Sequence, residues 1–523
     1  MKIPILILIA TVCLGGCKPK DEEMDILIKN GMVYDGLNKD PQLVSIAIKE
    51  DTIAYIGNQD EVKFSAKTII DATGLIVAPG FIDPHTHADR DLKNSKESHN
   101  KPFLYQGITT VVVGNDGSSP YPISKYANLY REHGIGTNVV FLVGQGTIRE
   151  QVIGKVDRQP NHDELERMKA LLQQEMQSGA FGMSTGLFYA PGSYATTEEI
   201  IELGKVVATF HGIYDTHLRD EGTYSIGLAT SVKEAIEIGK ESGMSVHISH
   251  IKCLGKKVWK QSDSIIQIID NAIKSGLEVT ASQYPYLASA TGLQAAVVPR
   301  WAESGGKDSL FIRYEDANQR SWILDETQQN IELRGGPEKL LIVNAGQKDF
   351  VGKTIKELSE SMGLPPNETV FEVLKKGYAR VASFSMDPYD VENFMKQEWV
   401  VTASDGNTGH PRKYGTFPRK YKYYVKGGAI KLADFINRSS SKTAQIFRIK
   451  KRGSLVLGNY ADIIIFDPET FGDKADYEDA FQLSEGLKFS IINGKMTIDN
   501  GTFTENLNGR ILKKNDYENK SQF

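Results

Sequence analysis

Strand-like and helix-like segments alternate through the centre of the chain at a nearly constant interval. Predicted strands begin at residues 213, 245 and 279, which lie 32 to 34 residues apart. Helical patterns separate them, and a further helix is predicted over 163–178, where an apolar stripe stops at Gly179. This interval is that of consecutive βα units, so the centre predicts a parallel sheet or an α/β barrel of the (β/α)8, TIM-like type.

Both ends of the chain instead show the alternation that is typical of β-strands. Residues 24–80 and 453–515 contain short alternating segments and Asn-Gly pairs, which favour tight hairpin turns. We therefore expect one small β-sandwich domain formed by the two chain ends. The barrel would then cover 81–452, and the segment at about 290–350 breaks the βα rhythm and is predicted to be an insertion.

The N-terminus has the pattern of an export signal. Lys2 precedes an apolar run from Ile3 to about Leu14, and this run is too short to cross a bilayer, which takes about 20 residues. The following Gly-Gly-Cys17 resembles a bacterial lipobox, where cleavage leaves a lipid-modified cysteine. We expect 1–16 to be a lipoprotein signal peptide, 17–23 to be a tether, and the exported protein to be membrane-anchored and to face the periplasm or the cell surface. A plain signal peptide is the alternative.

Composition excludes several other classes of protein. Of the three cysteines, Cys13 lies in the signal and Cys17 is the expected lipidation site, which leaves only Cys253 and no internal disulfide. The net charge of −5 over 523 residues argues against a nucleic-acid partner. No later segment is apolar enough to cross a membrane, so the lipid would be the only membrane anchor.

Four histidines occupy places where a barrel carries its chemistry. His85 and His87 are two residues apart at the end of an apolar segment, so on a strand both side chains face the same way at metal-ligand spacing. His217 and His250 come late in two further predicted strands. Catalytic groups of barrels lie at the carboxyl ends of strands. The four together predict a metal site, although His85 and His87 alone are also compatible with polar residues ending a strand.

Asp405 adds a carboxylate after another apolar strand, and a turn aspartate before Gly406 is the alternative interpretation. His247 points to the opposite strand face from His250, so we expect it to be structural. The remaining histidines without such a placement are expected at the surface: His99, His133, His162 and His211.

Ten short passages are similar to the amidohydrolase superfamily and, within it, to the N-acyl-D-amino-acid deacylase (D-aminoacylase) family. The matching passages are VAPGFID (77–83), GITTVVVGN (107–115), STGL (184–187), YAPG (189–192), THLRDE (216–221), ISHIK (248–252), YPY (284–286), SDG (404–406), HPR (410–412) and GTFPR (415–419). The resemblance covers about 25–515. It implies a metal-dependent hydrolase of linear amides that removes the acyl group from N-acyl-D-amino acids.

The resemblance also implies a metal ligand set. His85 and His87 would belong to one metal position, with Asp405 beside it as the catalytic base and acid. His217 and His250 would hold a second and usually tighter position. The implied cofactor is zinc, as one or two divalent ions.

Substrate-binding roles follow from the same resemblance. Arg412 would clamp the substrate carboxylate, a bidentate task that suits a guanidinium group. Lys252, Tyr284 and Ser289 would assist in binding, and Tyr189 would line the pocket near the scissile carbonyl.

The chain departs from the family pattern at Asp116. The best-known D-aminoacylases carry a zinc-ligating cysteine there, and an aspartate is a harder oxygen donor that also ligates or bridges metals. No lysine lies between Lys169 and Lys205, where other amidohydrolases place a carbamylated bridging lysine, so Asp116 is the bridging candidate; a simple turn is the alternative. The segment from Asp405 to Arg412 is also shorter than is usual in the family, which alters the expected pocket mouth.

Two other functions remain open at the level of the sequence. One is a dipeptidase for dipeptides with a C-terminal D-residue, which the same carboxylate clamp would serve. The other is a solute-binding lipoprotein on a barrel that has lost catalysis, which only the change at Asp116 favours. The expected partner is a small-molecule N-acyl amino acid.

Overall fold

The computed structural model describes residues 23–58 and 64–517, and its centre is a barrel of parallel strands. We label the barrel strands in chain order as β1 (Phe81–Asp83), β2 (Ile108–Val113), β3 (Asn138–Phe141 with Val143–Gly144), β4 (Gly182–Gly186), β5 (Ile213–His217), β6 (Ser245–Ile248), β7 (Val279–Gln283) and β8 (Val400–Thr402). Each strand pairs in parallel with the next. The ring closes where the Ser404 amide donates to the Asp83 carboxylate at 3.1 Å and the Asp405 amide donates to the His85 carbonyl at 2.8 Å. The predicted (β/α)8 barrel is confirmed.

Helices cover the outside of the barrel and explain why its strands are apolar on both faces. The strand β2, with the sequence ITTVVV, is buried at every position. The helix predicted over 163–178 is His162–Gln177, and the side chain of Asn161, the capping residue before it, forms a capping box with Glu164. The barrel helices are Asp89–Leu92, Lys101–Leu104, Ile123–His133, Gln145–Ile153, His162–Gln177, Thr197–Thr209, Leu228–Ser242, Ser262–Lys274, Pro388–Lys396, Arg412–Lys420, Leu432–Ser439 and Ser441–Ile446.

The insertion between β7 and β8 is a small module with its own sheet and apolar core. Its antiparallel strands are Ser289–Gly292, Ala379–Ser383 and Leu340–Ala345, with Ala379–Ser383 in the middle. Its helices are Leu293–Val297, Lys307–Glu315, Ala317–Leu333, Ile355–Met362 and Pro366–Lys375. The predicted end at about 350 is therefore wrong, because the later helices and the central strand belong to the same small core and the module continues to Ser383.

The two chain ends form the expected β-sandwich beside the barrel. One sheet has the order Thr52–Gly57, Ser45–Lys49, Met24–Lys29, Ala66–Asp71, and the other has the order Thr502–Phe503, Lys495–Asp499, Leu487–Ile492, Ile463–Phe466, Ile76–Pro79, Met32–Val33, Gln42–Leu43. Apolar side chains from both ends, such as Ile26 and Ile463, share one core. Asn493 and Gly494 turn one hairpin with φ of 51° and 76°, a left-handed pair that Asn-Gly adopts readily.

The N-terminal predictions lie outside the described residues. These are the signal peptide, the start of the tether and the lipidation site Cys17. In the part of the chain that the structure describes, no helix is both long and apolar enough to cross a membrane.

Candidate metal centre

Six side chains converge at the carboxyl ends of the barrel strands. They form two groups of possible metal ligands, and the ligand atoms within each group lie within 4.8 Å of one another. The first group is His85, His87, Asp116 and Asp405, and the second is Asp116, His217 and His250. Asp116 belongs to both groups, so its carboxylate lies where it would bridge two ions.

The first group surrounds the space between β1, β2 and β8. The Nε2 atoms of His85 and His87 lie 3.3 Å and 3.4 Å from Asp116 Oδ1 and Oδ2. Asp405 Oδ1 lies 3.3 Å from His87 Nε2 and 3.9 Å from His85 Nε2. Two imidazoles and two carboxylates are a donor set that suits zinc and related divalent ions.

The second group lies at the ends of β5 and β6. His217 presents Nδ1 and His250 presents Nε2, and these two nitrogens are 3.0 Å apart. They lie 3.7 Å and 3.4 Å from Asp116 Oδ1. The other nitrogen of each ring faces Glu221.

Four of the six ligands have a left-handed backbone conformation. The φ angles are 53° at His87, 55° at Asp116, 38° at His250 and 47° at Asp405. Residues other than glycine rarely adopt this backbone conformation, and each such residue lowers the stability of the fold by about 1–3 kcal/mol. The barrel holds each of these residues in a turn directly after its strand, which brings the side chains back over the barrel mouth.

Unpaired polar atoms in this cluster fit a bound metal. His85 Nε2 and His87 Nε2 are buried and have no hydrogen-bond partner among the described residues, a state that costs about 1–3 kcal/mol for each group. Burial alone would raise the pKa of Asp116, but the charge of His85 and hydrogen bonds from His217 and His250 hold that pKa well below its ordinary value. Metal binding requires this carboxylate to be ionised and the imidazoles to be neutral.

Glu221 lies next to the second group, on the side of the two imidazoles that faces away from Asp116. Its Oε1 lies 3.2 Å from His250 Nδ1 and its Oε2 lies 3.6 Å from His217 Nε2. Lys252, also buried, forms an ion pair with the same carboxylate and lies 2.8 Å from His250 Nδ1. Carboxylates of this kind orient metal-binding imidazoles and fix their tautomer. The sequence predicts no role for Glu221, since no local pattern links it to His250.

A cavity of about 600 Å³ opens beside the cluster and is lined by His87, Asp116 and Tyr189. The Tyr189 ring lies 4.6 Å from the His217 ring, between centroids. Asn407, in the short segment after Asp405, also lines this cavity and donates to Asp405 Oδ1 at 3.0 Å. The segment 405–412 thus contributes directly to the pocket mouth.

A second, small pocket brings together four predicted substrate-binding residues. Tyr189, Lys252, Tyr284 and Ser289 line it beside Asp405, and the buried Ser289 hydroxyl has no partner among the described residues. Arg334 of the insertion lies in the same wall. Sequence reasoning missed Arg334 because it belongs to the segment that breaks the βα rhythm.

Arg412 occupies a different place from the predicted clamp. It is fully buried, its Nη2 lies 2.7 Å from Asp405 Oδ2, and its Nε donates to the Asp405 carbonyl at 2.6 Å. It lines neither pocket. In this structure Arg412 therefore holds Asp405, because the short segment between them brings the guanidinium under the carboxylate.

The other histidines differ from the metal-site group. His247 is buried on the opposite face, pairs with Thr280 Oγ1 at 2.9 Å and packs edge-on against Phe447. His162 and His211 are exposed as expected. His99 and His133 are half-buried.

The fold and the site together define a class of protein, namely a metal-dependent hydrolase on a (β/α)8 barrel. The family model described as "Amidohydrolase family" matches residues 68–501. The chain belongs to the amidohydrolase family.

Proteins similar to this one match it over nearly its whole length. A D-aminoacylase from Alcaligenes xylosoxydans xylosoxydans is 29% identical over 521 residues, covering 94% of this chain and 98% of its own. The N-acyl-D-glutamate deacylase from Bordetella bronchiseptica, complexed with zinc and a phosphonate inhibitor, has a TM-score of 0.80 at 26% identity, with 94% and 100% covered. A D-aminoacylase with a binuclear metal centre has the same TM-score and coverage at 30% identity.

Proposed function

We propose that this protein is a metal-dependent hydrolase of linear amides that removes the acyl group from N-acyl-D-amino acids. One observation carries the proposal: two ligand groups share Asp116 at the carboxyl ends of the barrel strands and lie between a large cavity and a small polar pocket. The similarity to D-aminoacylases over 94% of the chain supports the substrate class.

The six side chains would hold one or two zinc ions. When bound, zinc polarises the scissile carbonyl and lowers the pKa of water from 15.7 towards about 7. Asp116 would be the shared ligand, and Glu221 would keep both imidazoles of the second group in the tautomers that the site needs.

Asp405 is the proposed general base and general acid. Burial alone would raise its pKa, but Arg412 and the histidines hold that pKa well below its ordinary value, so the carboxylate is ionised, which is the state that a general base has before it accepts a proton. Arg412 and Asn407 fix its two oxygens. Asp405 accepts the proton of the attacking water and then delivers it to the amine nitrogen as the carbon–nitrogen bond breaks.

The small pocket is the proposed site of the substrate α-carboxylate. Lys252, Tyr284 and Ser289 offer donors there, and Arg334 brings a guanidinium group that has no carboxylate partner among the described residues. In this proposal Arg412 positions Asp405, and the substrate carboxylate is bound by the residues of the small pocket instead.

A substrate panel tests the proposed activity. N-acetyl-D-amino acids, their L-enantiomers and dipeptides with a C-terminal D-residue are assayed for amino-acid release by the zinc-loaded enzyme. The proposal predicts fastest release from the N-acetyl-D-amino acids. Faster cleavage of the dipeptides would make the protein a dipeptidase, and a zinc-binding protein that cleaves none of them would be the solute-binding alternative.

A membrane anchor is a separate proposal, and it rests only on the lipobox-like sequence ending at Cys17. We propose that the protein is exported and held at the membrane by a lipid on Cys17. Cys17→Ala should release it into the soluble fraction of cells, and Cys253→Ala, the matched control, should leave it membrane-bound. Membrane association that survives Cys17→Ala would refute the anchor.

A further inference from the structure

The wall of the large cavity contains an arginine without a counter-ion. Arg380 lies on Ala379–Ser383, the central strand of the inserted sheet, and is 5% exposed. It lines the cavity, yet within 23–58 and 64–517 no carboxylate lies within 4.0 Å of its guanidinium and no side-chain hydrogen bond reaches it. Charged side chains are almost never this buried unless they are paired, so the cavity is the place where Arg380 would meet an anion.

The neighbours of Arg380 leave space for a ligand. In the inserted sheet it pairs with Gly292 on one side and Asn344 on the other, and both line the same cavity. A Cβ atom at Gly292 would meet only the Tyr378 ring, at 3.9 Å. The absence of a side chain at 292 therefore opens the surface next to the guanidinium.

A second unpaired arginine lies at the same cavity. Arg90 follows the metal-site residue His87 by three positions, is exposed, and forms no ion pair in the described part of the chain. Burial lowers the pKa of Arg380, and the positive charge of Arg90 lowers it further. By contrast, Lys155 in the same wall is 3.5 Å from the carboxylate of Glu150. Two like charges without a counter-ion thus face the cavity next to the ligand cluster.

We propose that Arg380, with Arg90, binds a second carboxylate of the substrate, away from the α-carboxylate in the small pocket. This inference rests on the proposed function and narrows its substrate class to dianionic N-acyl-D-amino acids. A guanidinium binds a carboxylate through two parallel hydrogen bonds. The second carboxylate belongs either to an acidic amino-acid side chain or to a dicarboxylic acyl group.

Three substrates distinguish these cases: N-acetyl-D-glutamate, N-succinyl-D-leucine and N-acetyl-D-leucine, which has no second carboxylate. The wild-type enzyme should favour one of the two dianionic substrates over N-acetyl-D-leucine, and the preferred one identifies the end that carries the charge. In Arg380→Gln the ratio of kcat/KM for that substrate to kcat/KM for N-acetyl-D-leucine should fall by about 10- to 100-fold, mainly through KM.

Two further variants keep the test decisive. Arg90→Gln changes an exposed residue and should lower the same ratio by a smaller factor, so it serves if Arg380→Gln does not fold. Arg320→Gln, at a half-exposed arginine of the insertion that pairs with Glu368, should leave the ratio unchanged. An unchanged ratio in Arg380→Gln and Arg90→Gln, with N-acetyl-D-leucine still cleaved, would overturn this inference alone. A wild-type enzyme that cleaves none of the three would overturn the proposed function with it.

Discussion

Replacing Glu221 by glutamine tests whether the carboxylate behind the second ligand group sets its metal affinity. Glu221 is buried between His217, His250 and Lys252. Its carboxylate accepts a hydrogen bond from Lys252 and lies 3.2 Å from His250 Nδ1 and 3.6 Å from His217 Nε2. Burial would raise its pKa, but Lys252 and the two histidines hold that pKa well below its ordinary value. Glutamine has nearly the same shape but lacks the charge. Its NH2 group must point towards either Lys252 or a histidine, where the carboxylate offered an acceptor oxygen.

Two magnitudes follow from this geometry. Loss of a carboxylate behind metal-bound histidines lowers metal affinity by about 10- to 100-fold, which corresponds to about 1.4–2.7 kcal/mol. Lys252, which is 3% exposed, would also be left as a buried cation without its partner. Breaking such a buried pair costs about 3–5 kcal/mol of unfolding free energy, so the metal-free variant should also unfold at lower denaturant concentration.

Calorimetric zinc titration of the chelator-treated proteins measures the first effect, and urea unfolding measures the second. Glu199→Gln is the matched control, because Glu199 is also a buried carboxylate paired with a buried cation, Arg149. It should lose stability and keep its zinc affinity. A zinc affinity of Glu221→Gln within about twofold of the wild type would show that Glu221 does not set metal affinity, since 10-fold is the smallest expected effect. An equal loss of affinity in Glu199→Gln would show the same.

Three further predictions concern separate parts of the molecule. Asp405→Asn should lower kcat by at least about 10²-fold while zinc analysis still finds metal in the protein; a variant with wild-type turnover would remove Asp405 from its role. Burial lowers the pKa of His247 to about 3. The imidazole therefore stays neutral in the folded protein, whereas in the unfolded chain it takes up a proton below about pH 6.5. Neutral His247 should therefore contribute fully to the free energy of unfolding above pH 6.5, and that free energy should fall by about 1.4 kcal/mol per pH unit below it. In urea unfolding between pH 6.5 and 4.5, His247→Gln should lose stability less steeply than the wild type, and an equally steep loss would contradict this prediction. Asn161→Ala removes the capping side chain that accepts from the Glu164 amide at 2.9 Å and should cost about 1 kcal/mol, whereas an unchanged unfolding midpoint would show that the cap contributes nothing.

The barrel and its ligands were predictable because they depend on short-range patterns. Strand ends recur at the βα interval, so the four histidines of the barrel mouth could be found together. Only His217 lies on its strand, whereas His85, His87 and His250 come after the ends of β1 and β6, where strand periodicity does not set the direction of a side chain. Asp116 was harder, since a left-handed turn after β2 aims its side chain and no alternation pattern reports that turn.

The substrate side of the site depends on the insertion and on local chain length. Arg334 and Arg380 come from 289–383, where antiparallel pairing brings distant residues together and no regular interval announces them. The direction of Arg412 depends on how closely the short segment after Asp405 turns back. The positions of these arginines depend on tertiary packing, and short sequence motifs carry no information about that packing.

Zinc add-back tests whether the cluster around Asp116 is a zinc centre that drives deacylation of N-acyl-D-amino acids. Chelator-treated protein is titrated with zinc while the release of free D-amino acid is measured, beside the same titration with the L-enantiomer. We expect no release without metal, recovery of D-amino-acid release as zinc is added, and little release from the L-substrate. Full activity of the metal-free protein, or zinc binding at the cluster without any release, would contradict this expectation.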